Sequence, residues 1–206
     1  MKEEKFGQLD AWNELWVREG SWLIWRRKNL LKDFERVATE HHRLLNPKEE
    51  RLKLLYKTRC EGESREEIET TLAKKLGEHE QHERILKTTL SGPHRDDYEI
   101  SIDEQPIRNF GSEGQKRSAM LSLRMAQWKC LGDRSGELPM ILLDDVLGEL
   151  DEHRRTAFLD LVMQSGAQIF LALTQVGEPL RDAANAVFRV CNGTLERIDA
   201  TRVSRA

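Results

Sequence analysis

The sequence lacks the features that mark secreted, disulfide-bonded and membrane-spanning proteins. Its 206 residues include three scattered cysteines, and an odd count without a C-x-x-C pair excludes a disulfide framework and a cysteine-built zinc site. No run of about 18 apolar residues is present, which excludes a membrane-spanning helix. The charged start, MKEEK, is not a secretory signal. We therefore expect a protein of the reducing cytoplasm without membrane contact.

A dominant charge of one sign is lacking as well. The 33 basic and 36 acidic side chains leave a net charge of −3, which excludes a protein that binds nucleic acid by bulk charge, so any DNA contact needs a local patch. Charged residues nevertheless make up 33% of the chain and apolar residues 38%. Because the apolar residues recur at regular spacing, this composition indicates long solvated helical faces rather than disorder.

Residues 1–90 have the pattern of a helical arm. Apolar residues recur every three or four positions from Leu9 to Leu44, which predicts a long helix that ends at Asn46-Pro47. Gly20-Ser21 would allow a kink or two abutting helices. Four of the five tryptophans fall within residues 12–25, where packing within the arm is favoured over a stacking platform for nucleic-acid bases.

The rest of the arm is a short extended piece and a second helix. Residues 52–58 alternate in polarity and predict a short strand or an extended link. Ser64 and Glu67 have the spacing of a capping box, which predicts the start of a second helix. Two helices of opposite direction, joined by this piece, would form a lever.

Residues 91–206 predict an α/β unit. The boundary is placed at residues 91–93 (SGP), because Gly-Pro ends helices. Strands alternate with helices, which favours a parallel sheet flanked by helices, and Asn192-Gly193 predicts a terminal hairpin. The apolar run at 140–143 is typical of a strand that is covered on both faces. The predicted segments are helices at 115–131 and 151–163, buried strands at 140–143 and 168–173, and a hairpin at 186–198.

Two adjacent carboxylates, Asp144 and Asp145, follow that apolar strand. A parallel sheet binds its ligands beyond the carboxyl ends of its strands. One carboxylate there could hold Mg²⁺ and the other could orient or deprotonate a water molecule. A strand that ends in turn-forming acids would look the same, so the pair alone does not decide between the two interpretations.

A glycine-rich turn at residues 110–115 (FGSEGQ) directly precedes a predicted helix. Two glycines let backbone amides approach a ligand, and a helix N-terminus favours an anion. Ser112 adds a hydroxyl donor. By itself such a turn is a weak signal; its position upstream of the paired acids, with residues 149–151 (ELD) after them, strengthens it.

In this order, the three segments resemble the C-terminal half of an ABC-type ATPase. The turn at 110–115 resembles the signature motif, residues 141–145 resemble Walker B, and residues 149–151 resemble the D-loop. The nearer resemblance is to the RecF family of bacterial DNA repair proteins, on residues 91–97 (SGPHRDD) and 143–151 (LDDVLGELD). The implied fold is the C-terminal part of an ABC-type ATPase head, preceded by a helical arm.

The resemblance implies roles for seven residues at a nucleotide that two subunits share. The signature residues would contact a γ-phosphate that a partner presents: Ser112, Gly114 and Gln115. The remaining four would support Mg²⁺ (Asp144), position water (Asp145), couple the two sites (Asp151) and sense the γ-phosphate (Thr174). The roles of His94 and Arg95 stay open, with a structural ion pair to Asp96 or Asp97 as one reading.

A phosphate-binding P-loop is the motif that is missing, since no stretch fits G-x-x-x-x-G-K-[ST]. A helix N-terminus offers an anion about 0.3–1 kcal/mol, up to ~2 when partly buried. Charge-assisted hydrogen bonds add about 1.5–3 kcal/mol each before ordering costs, whereas even millimolar affinity needs roughly −4 kcal/mol net. We therefore expect that the chain alone neither binds ATP tightly nor hydrolyses it.

The family implies ATP-dependent binding of single-stranded or gapped DNA in recombination, repair and replication, with slow DNA-stimulated hydrolysis. The implied partners are DNA, a second copy in a head-to-tail dimer or a chain that carries Walker A, and other recombination mediator proteins. Two alternatives remain: a non-enzymatic interaction module or truncated gene product, and one half of a two-chain SMC-like ATPase. A metal site at Cys60, His79 and His82 is disfavoured, because the ligand count is short.

Overall fold

The structure of the chain, a computed structural model, describes residues 2–46, 48, 50–145 and 150–198. The helices in this part are α1 (Lys2–Leu45), α2 (Arg65–Leu86), α3 (Ile107–Phe110), α4 (Glu113–Ser135), α5 (Glu152–Met163) and α6 (Glu178–Ala183). The strands are β1 (Leu52–Lys57), β2 (Asp97–Ile102), β3 (Gln105–Pro106), β4 (Ile141–Asp144), β5 (Ile169–Ala172), β6 (Phe188–Cys191) and β7 (Thr194–Arg197). Within the described ranges, no helix combines the length and apolarity needed to span a membrane.

Helix α1 is the long helix that the apolar spacing predicts. It runs to Leu45 without interruption at Gly20-Ser21, and the Ser21 hydroxyl donates to the Arg18 carbonyl at 3.0 Å within the helix. A Cβ at Gly20 would lie 3.0 Å from a Leu72 methyl, so the glycine allows α2 to approach closely. The buried seam differs from the predicted one at its ends, where Trp12 and Leu44 are exposed.

Helix α2 begins where the sequence predicts, with one change in its cap. The Ser64 hydroxyl accepts the Glu67 backbone N–H at 3.2 Å. The Glu67 carboxylate accepts the Glu63 N–H at 2.8 Å, although a full capping box would return this bond to Ser64. The predicted N-cap at Ser64 is confirmed. The predicted return bond of the capping box is wrong by one residue, because the Glu67 carboxylate accepts from Glu63 and not from Ser64.

Strand β1 pairs along its whole length with β2, in an antiparallel sheet of order β1-β2-β3. Leu52 lies opposite Ile102 and Leu54 opposite Ile100. These strands pack with α1 and α4 in one buried cluster that includes Val37 and Ala119. Strand pairing and core packing therefore cross the predicted boundary at residues 91–93.

A tight turn at that boundary is bonded to both arm helices, to α2 through His79 Nδ1, which lies 2.9 Å from the Ser91 hydroxyl. Trp16 Nε1 donates to the Ser91 carbonyl at 3.1 Å, and Arg27 donates to the Pro93 carbonyl at 2.7 Å. His94 and Arg95 both donate to the Thr89 carbonyl, at 2.8 Å and 3.2–3.3 Å. The suggested ion pair of Arg95 with Asp96 or Asp97 is wrong, because the guanidinium is turned back to close this turn.

The second sheet joins β4 and β5 in parallel, and β6 and β7 form a separate hairpin. Both were predicted. Asn192 and Gly193 have φ values of 49° and 76°, which is the left-handed backbone that the favoured two-residue hairpin turns need.

The expectation that β4 is covered on both faces is wrong. Ile141 and Leu143 face a core with α4 and α5, while their neighbour Leu142 is 71% exposed. Its register partner Phe170 is 51% exposed. In the described part of the chain this sheet has two strands, and a helical layer lies on one side only, so a continuous apolar run here does not mean two buried faces.

Candidate functional site

The glycine-rich turn caps helix α4. A Cβ at Gly111 would lie 2.7 Å from the Ile107 carbonyl oxygen, so this glycine is needed for the tight exit from α3. The Ser112 hydroxyl oxygen accepts the Gln115 N–H at 3.2 Å. Since that oxygen acts as an acceptor, the hydroxyl proton can still be donated to a ligand. Ser112 is exposed at the start of a 23-residue helix, where the helix dipole favours an anion.

The Gln115 side chain is held by the protein at both ends. Its Oε1 accepts the Ser112 N–H at 2.9 Å, which completes a capping box. Its Nε2 donates to Glu50 Oε1 at 3.1 Å. One amide proton of Gln115 is used in this way, and the second is what the side chain could offer a phosphate.

Asp151 is the N-cap of α5, and both of its carboxylate oxygens are engaged by Arg154. One accepts the Arg154 backbone N–H at 2.9 Å and the other accepts Nη1 at 2.5 Å. These hydrogen bonds, the backbone one first, lower the pKa of Asp151 below its usual value. The same Nη1 would lie 3.1 Å from a Cβ at Gly114. The signature turn and the D-loop aspartate therefore meet at one guanidinium.

Asp144, Asp145 and Thr174 lie at one edge of the second sheet. Asp144 is the register partner of Ala172, two residues before Thr174. The Asp145 N–H donates to the Ala172 carbonyl at 3.1 Å. Asp145 has φ of 50°, a left-handed conformation that aspartate tolerates better than most residues. Asp144, Asp145 and Thr174 are all exposed, so ligands can reach them.

A shared core connects this sheet edge to the signature helix. Ile141 of β4, Met125 of α4, Phe158 of α5 and Leu150 belong to the same buried cluster. Ser112 and Asp144 thus lie at the ends of elements that pack on each other. Of the predicted D-loop, Leu150 and Asp151 are described, and Glu149 lies outside the described residues.

Sequence reasoning missed the polar groups at the end of α1. Asn46 Oδ1 accepts Nε and Nη2 of Arg154 at 3.2 and 3.1 Å. His42 is fully buried, and its Nδ1 lies 3.2 Å from the Ser122 hydroxyl. Burial lowers the pKa of His42, and the negative charge of Glu50, 3.8 Å away, partly opposes this effect. In the sequence, the i, i+3 spacing of Asp151 and Arg154 indicates that these two side chains can pair at the start of a helix. It gives no indication of the contact between Arg154 and Asn46.

The chain has two small basic clusters, residues 26–28 (RRK) and 154–155 (RR), and several of their side chains make contacts within the protein. Arg154 bonds Asn46 and Asp151, and Arg27 bonds the Pro93 carbonyl. Lys28 donates to the Gly62 carbonyl at 2.6 Å. Arg26 of the first cluster is exposed.

No group of three or more His, Cys, Asp or Glu side chains that could hold a metal ion occurs among the described residues. The pair at the end of β4 still fits Mg²⁺, because this ion is commonly bound by one or two carboxylates together with substrate phosphates and water. Two exposed carboxylates at a sheet edge provide such a partial set.

No family model matches the chain. Among curated proteins it is similar to the DNA replication and repair protein RecF of Symbiobacterium thermophilum, with 33% identity over 196 residues, 92% of this chain and 52% of that protein. RecF of Gloeobacter violaceus is 36% identical over 159 residues, 76% of this chain and 42% of that protein. The chain thus spans about half the length of the curated relatives that it matches.

Solved structures show the same similarity to RecF proteins. The recombination mediator protein RecF–ATP, described in the RecFOR pathway, is 26% identical with a TM-score of 0.73, covering 93% of this chain and 50% of that one. An SMC ATPase structure with 14% identity and a TM-score of 0.51 covers 84% of this chain and 86% of that one, and shares the fold. This chain belongs to the RecF family, of whose members it represents a C-terminal part.

Proposed function

We propose that this chain works within an ATP-dependent DNA-binding protein of cytoplasmic DNA replication, recombination and repair. It supplies the signature turn, the Walker B acids and the D-loop. The observation that carries the proposal is the side chain of Arg154, which contacts the signature turn and Asp151 together. The names of the curated relatives, and the ATP in the name of the solved neighbour, support it.

Each of the predicted residues has a task at a nucleotide held between two subunits. Ser112 donates its hydroxyl proton to the γ-phosphate, and the N-terminus of α4 at Gly114 and Gln115 adds a favourable dipole. Asp145 orients the attacking water. Asp151 couples the two sites, and Thr174 reads the presence of the γ-phosphate.

Asp144 is the residue that would hold Mg²⁺, which neutralises phosphate charge when it is bound. Because the P-loop lysine and its cradle are missing, the signature turn and the two acids should barely reach millimolar affinity, and the chain alone should not bind Mg-ATP tightly. Calorimetric titration of Mg-ATP into the chain tests this point. Micromolar binding by the chain alone would contradict it.

Hydrolysis requires a P-loop, which residues 1–206 do not contain, so the experiment has to supply one. The test mixes this chain with the N-terminal half of the Symbiobacterium thermophilum relative, where the family resemblance locates that loop, and measures phosphate release with and without DNA. Asp145→Asn should abolish release. Asp160→Asn, the same change at an exposed position on α5, should leave it unchanged, and equal release by both variants would refute the assignment.

The DNA partner is single-stranded or gapped duplex DNA, bound in the ATP state. Measuring DNA affinity of the same mixture at several salt concentrations tests for phosphate contacts, because each neutralised phosphate steepens the loss of affinity with salt. Affinity that does not fall between 50 and 200 mM salt, a range over which phosphate contacts typically cost orders of magnitude, would exclude phosphate contacts.

A second candidate function is favoured by the exposed face of the β4–β5 sheet. Leu142 and Phe170 lie side by side there and are mostly exposed, as is typical of an interaction surface. In this reading the chain is one half of a two-chain SMC-like ATPase, or a protein-interaction module without catalysis. Leu142→Ser should then weaken association with the P-loop-bearing chain without unfolding this one, and unchanged association would exclude this candidate.

A further inference from the structure

Three elements meet at the guanidinium of Arg154. Its Nε and Nη2 donate to Asn46 Oδ1, directly after the end of α1. Its Nη1 donates to Asp151 Oδ2 at the start of α5. The same Nη1 lies against Gly114 in the first turn of α4, where even a methyl group would come within 3.1 Å. The end of the arm helix, the signature turn and the D-loop therefore share one side chain.

A second contact runs between the same regions. Glu50, which follows α1, accepts Gln115 Nε2 from the signature turn at 3.1 Å. Asn46 is itself fixed by donating Nδ2 to the His42 carbonyl at 3.0 Å. The chain that leaves α1 is thus bonded to both motif-bearing helices, to α4 through Glu50 and to α5 through Asn46.

The chemistry of these contacts requires arginine. A guanidinium presents its donors in a fixed planar fork, so it can serve an amide oxygen and a carboxylate at once, whereas a lysine ammonium is a point donor on a flexible stem. The Arg154 side chain is 23% exposed and Asn46 is buried, so water competes weakly with the bonds to Asn46. A Cβ at Gly114 would lie 3.1 Å from Nη1, so a larger residue at that position would have to shift the guanidinium.

We propose that Arg154 is a positioning residue, which holds the signature turn and the D-loop in fixed register with each other and with the end of α1. It acts through Asn46 and Asp151 and does not itself contact nucleotide. That both motifs face a nucleotide rests on the proposed function, whereas the mechanical link between them does not.

Hydrogen exchange of two backbone amides in the full chain tests the link. Lys116 N–H bonds the Ser112 carbonyl in the first turn of α4, and Arg155 N–H bonds the Asp151 carbonyl in the first turn of α5. The equivalent bond of α2, from Ile68 N–H to the Ser64 carbonyl, serves as the internal reference. Arg154→Lys should speed exchange about tenfold to a hundredfold at Arg155, the factor that corresponds to one charge-assisted hydrogen bond. It should also speed exchange at Lys116, by a smaller factor because Arg154 meets α4 through packing at Gly114 and not through a hydrogen bond, and leave Ile68 unchanged.

A matched control and a rescue pair complete the design. Arg124→Lys, the same change at an exposed position on α4, should alter none of the three amides. Asn46→Asp keeps an oxygen acceptor for Arg154 but loses the Nδ2 donor to the His42 carbonyl, so it should speed exchange at Lys116 and Arg155 less than Asn46→Leu does. Asn46→Leu removes the acceptor and should reproduce the effect of Arg154→Lys at both amides.

Faster exchange at Arg155 alone would overturn the proposal, because Arg154 would then only cap α5. If Arg154→Lys speeds all three amides equally, the Asn46 pair decides: identical behaviour of Asn46→Asp and Asn46→Leu would overturn it as well. These measurements contain no nucleotide. Absence of phosphate release by the wild-type mixture would therefore refute the proposed function and leave the link intact.

Discussion

Gly92 in the turn at residues 91–97 is the position where a single added methyl group should do the most damage. Its φ is 134°, a backbone conformation that L side chains rarely adopt. A Cβ there would lie 2.7–2.9 Å from three ring atoms of Trp16. Gly92→Ala must therefore distort the turn, displace the indole, or do both.

The expected cost follows from three contributions. Forcing a non-glycine residue into this backbone region costs about 1–3 kcal/mol, and overpacking against the ring costs about 1–3 kcal/mol. Displacing Trp16 also weakens its 3.1 Å hydrogen bond to the Ser91 carbonyl, which is worth about 0.5–1.5 kcal/mol. Since the contributions overlap, we expect a loss of about 3–5 kcal/mol in the free energy of unfolding, a large share of a typical domain's stability.

Urea unfolding followed by circular dichroism measures this loss. With a urea m-value of about 2 kcal/mol/M, the midpoint should fall by roughly 2 M. The control is Gly77→Ala in α2, where nothing lies within 4 Å of the added methyl group. There the helix propensity of alanine should raise stability by about 0.5–1 kcal/mol. A Gly92→Ala protein within about 0.5 kcal/mol of wild type would refute the reasoning.

Three further predictions concern the core, the signature cap and pH. Phe158 is 1% exposed in the core beneath the β4–β5 sheet, so Phe158→Ala should cost about 3–5 kcal/mol in urea unfolding. Ser112→Ala removes the N-cap of α4 and should cost about 1 kcal/mol, whereas Ser112→Asp should keep most of it. Burial lowers the pKa of His42, so the imidazole binds a proton more readily in the unfolded chain than in the folded one. The free energy of unfolding should therefore fall as pH drops below about 6.5, by up to about 1.4 kcal/mol per pH unit.

Each of these has a contrary outcome. A Phe158→Ala loss below about 1 kcal/mol would mean that the core collapses around the cavity. Ser112→Ala as stable as wild type would show that the cap bond in α4 contributes nothing. For His42, the variant His42→Gln should flatten the pH dependence below 6.5, and an unchanged slope would place the responsible proton elsewhere.

The elements of this chain that depend on neighbours in sequence could be predicted from the residues. The N-cap residue Ser64, the apolar spacing of α1 and the Asn192-Gly193 turn act within a few residues of themselves. Their physics is that of hydrogen bonds to the next turn and of local backbone preference. The motifs that carry the RecF resemblance are likewise continuous stretches of sequence, so they indicate the family without any knowledge of the tertiary structure.

Contacts between distant residues were decided by the tertiary structure alone. The exposure of Leu142 depends on which elements cover the β4–β5 sheet, and an apolar run looks the same whether one face or two are buried. Nothing in the sequence indicates that Arg154 bonds Asn46, which lies 108 residues away along the chain. Local patterns specify a residue's own helix or strand, but what a side chain touches depends on packing between elements, and no periodicity encodes that.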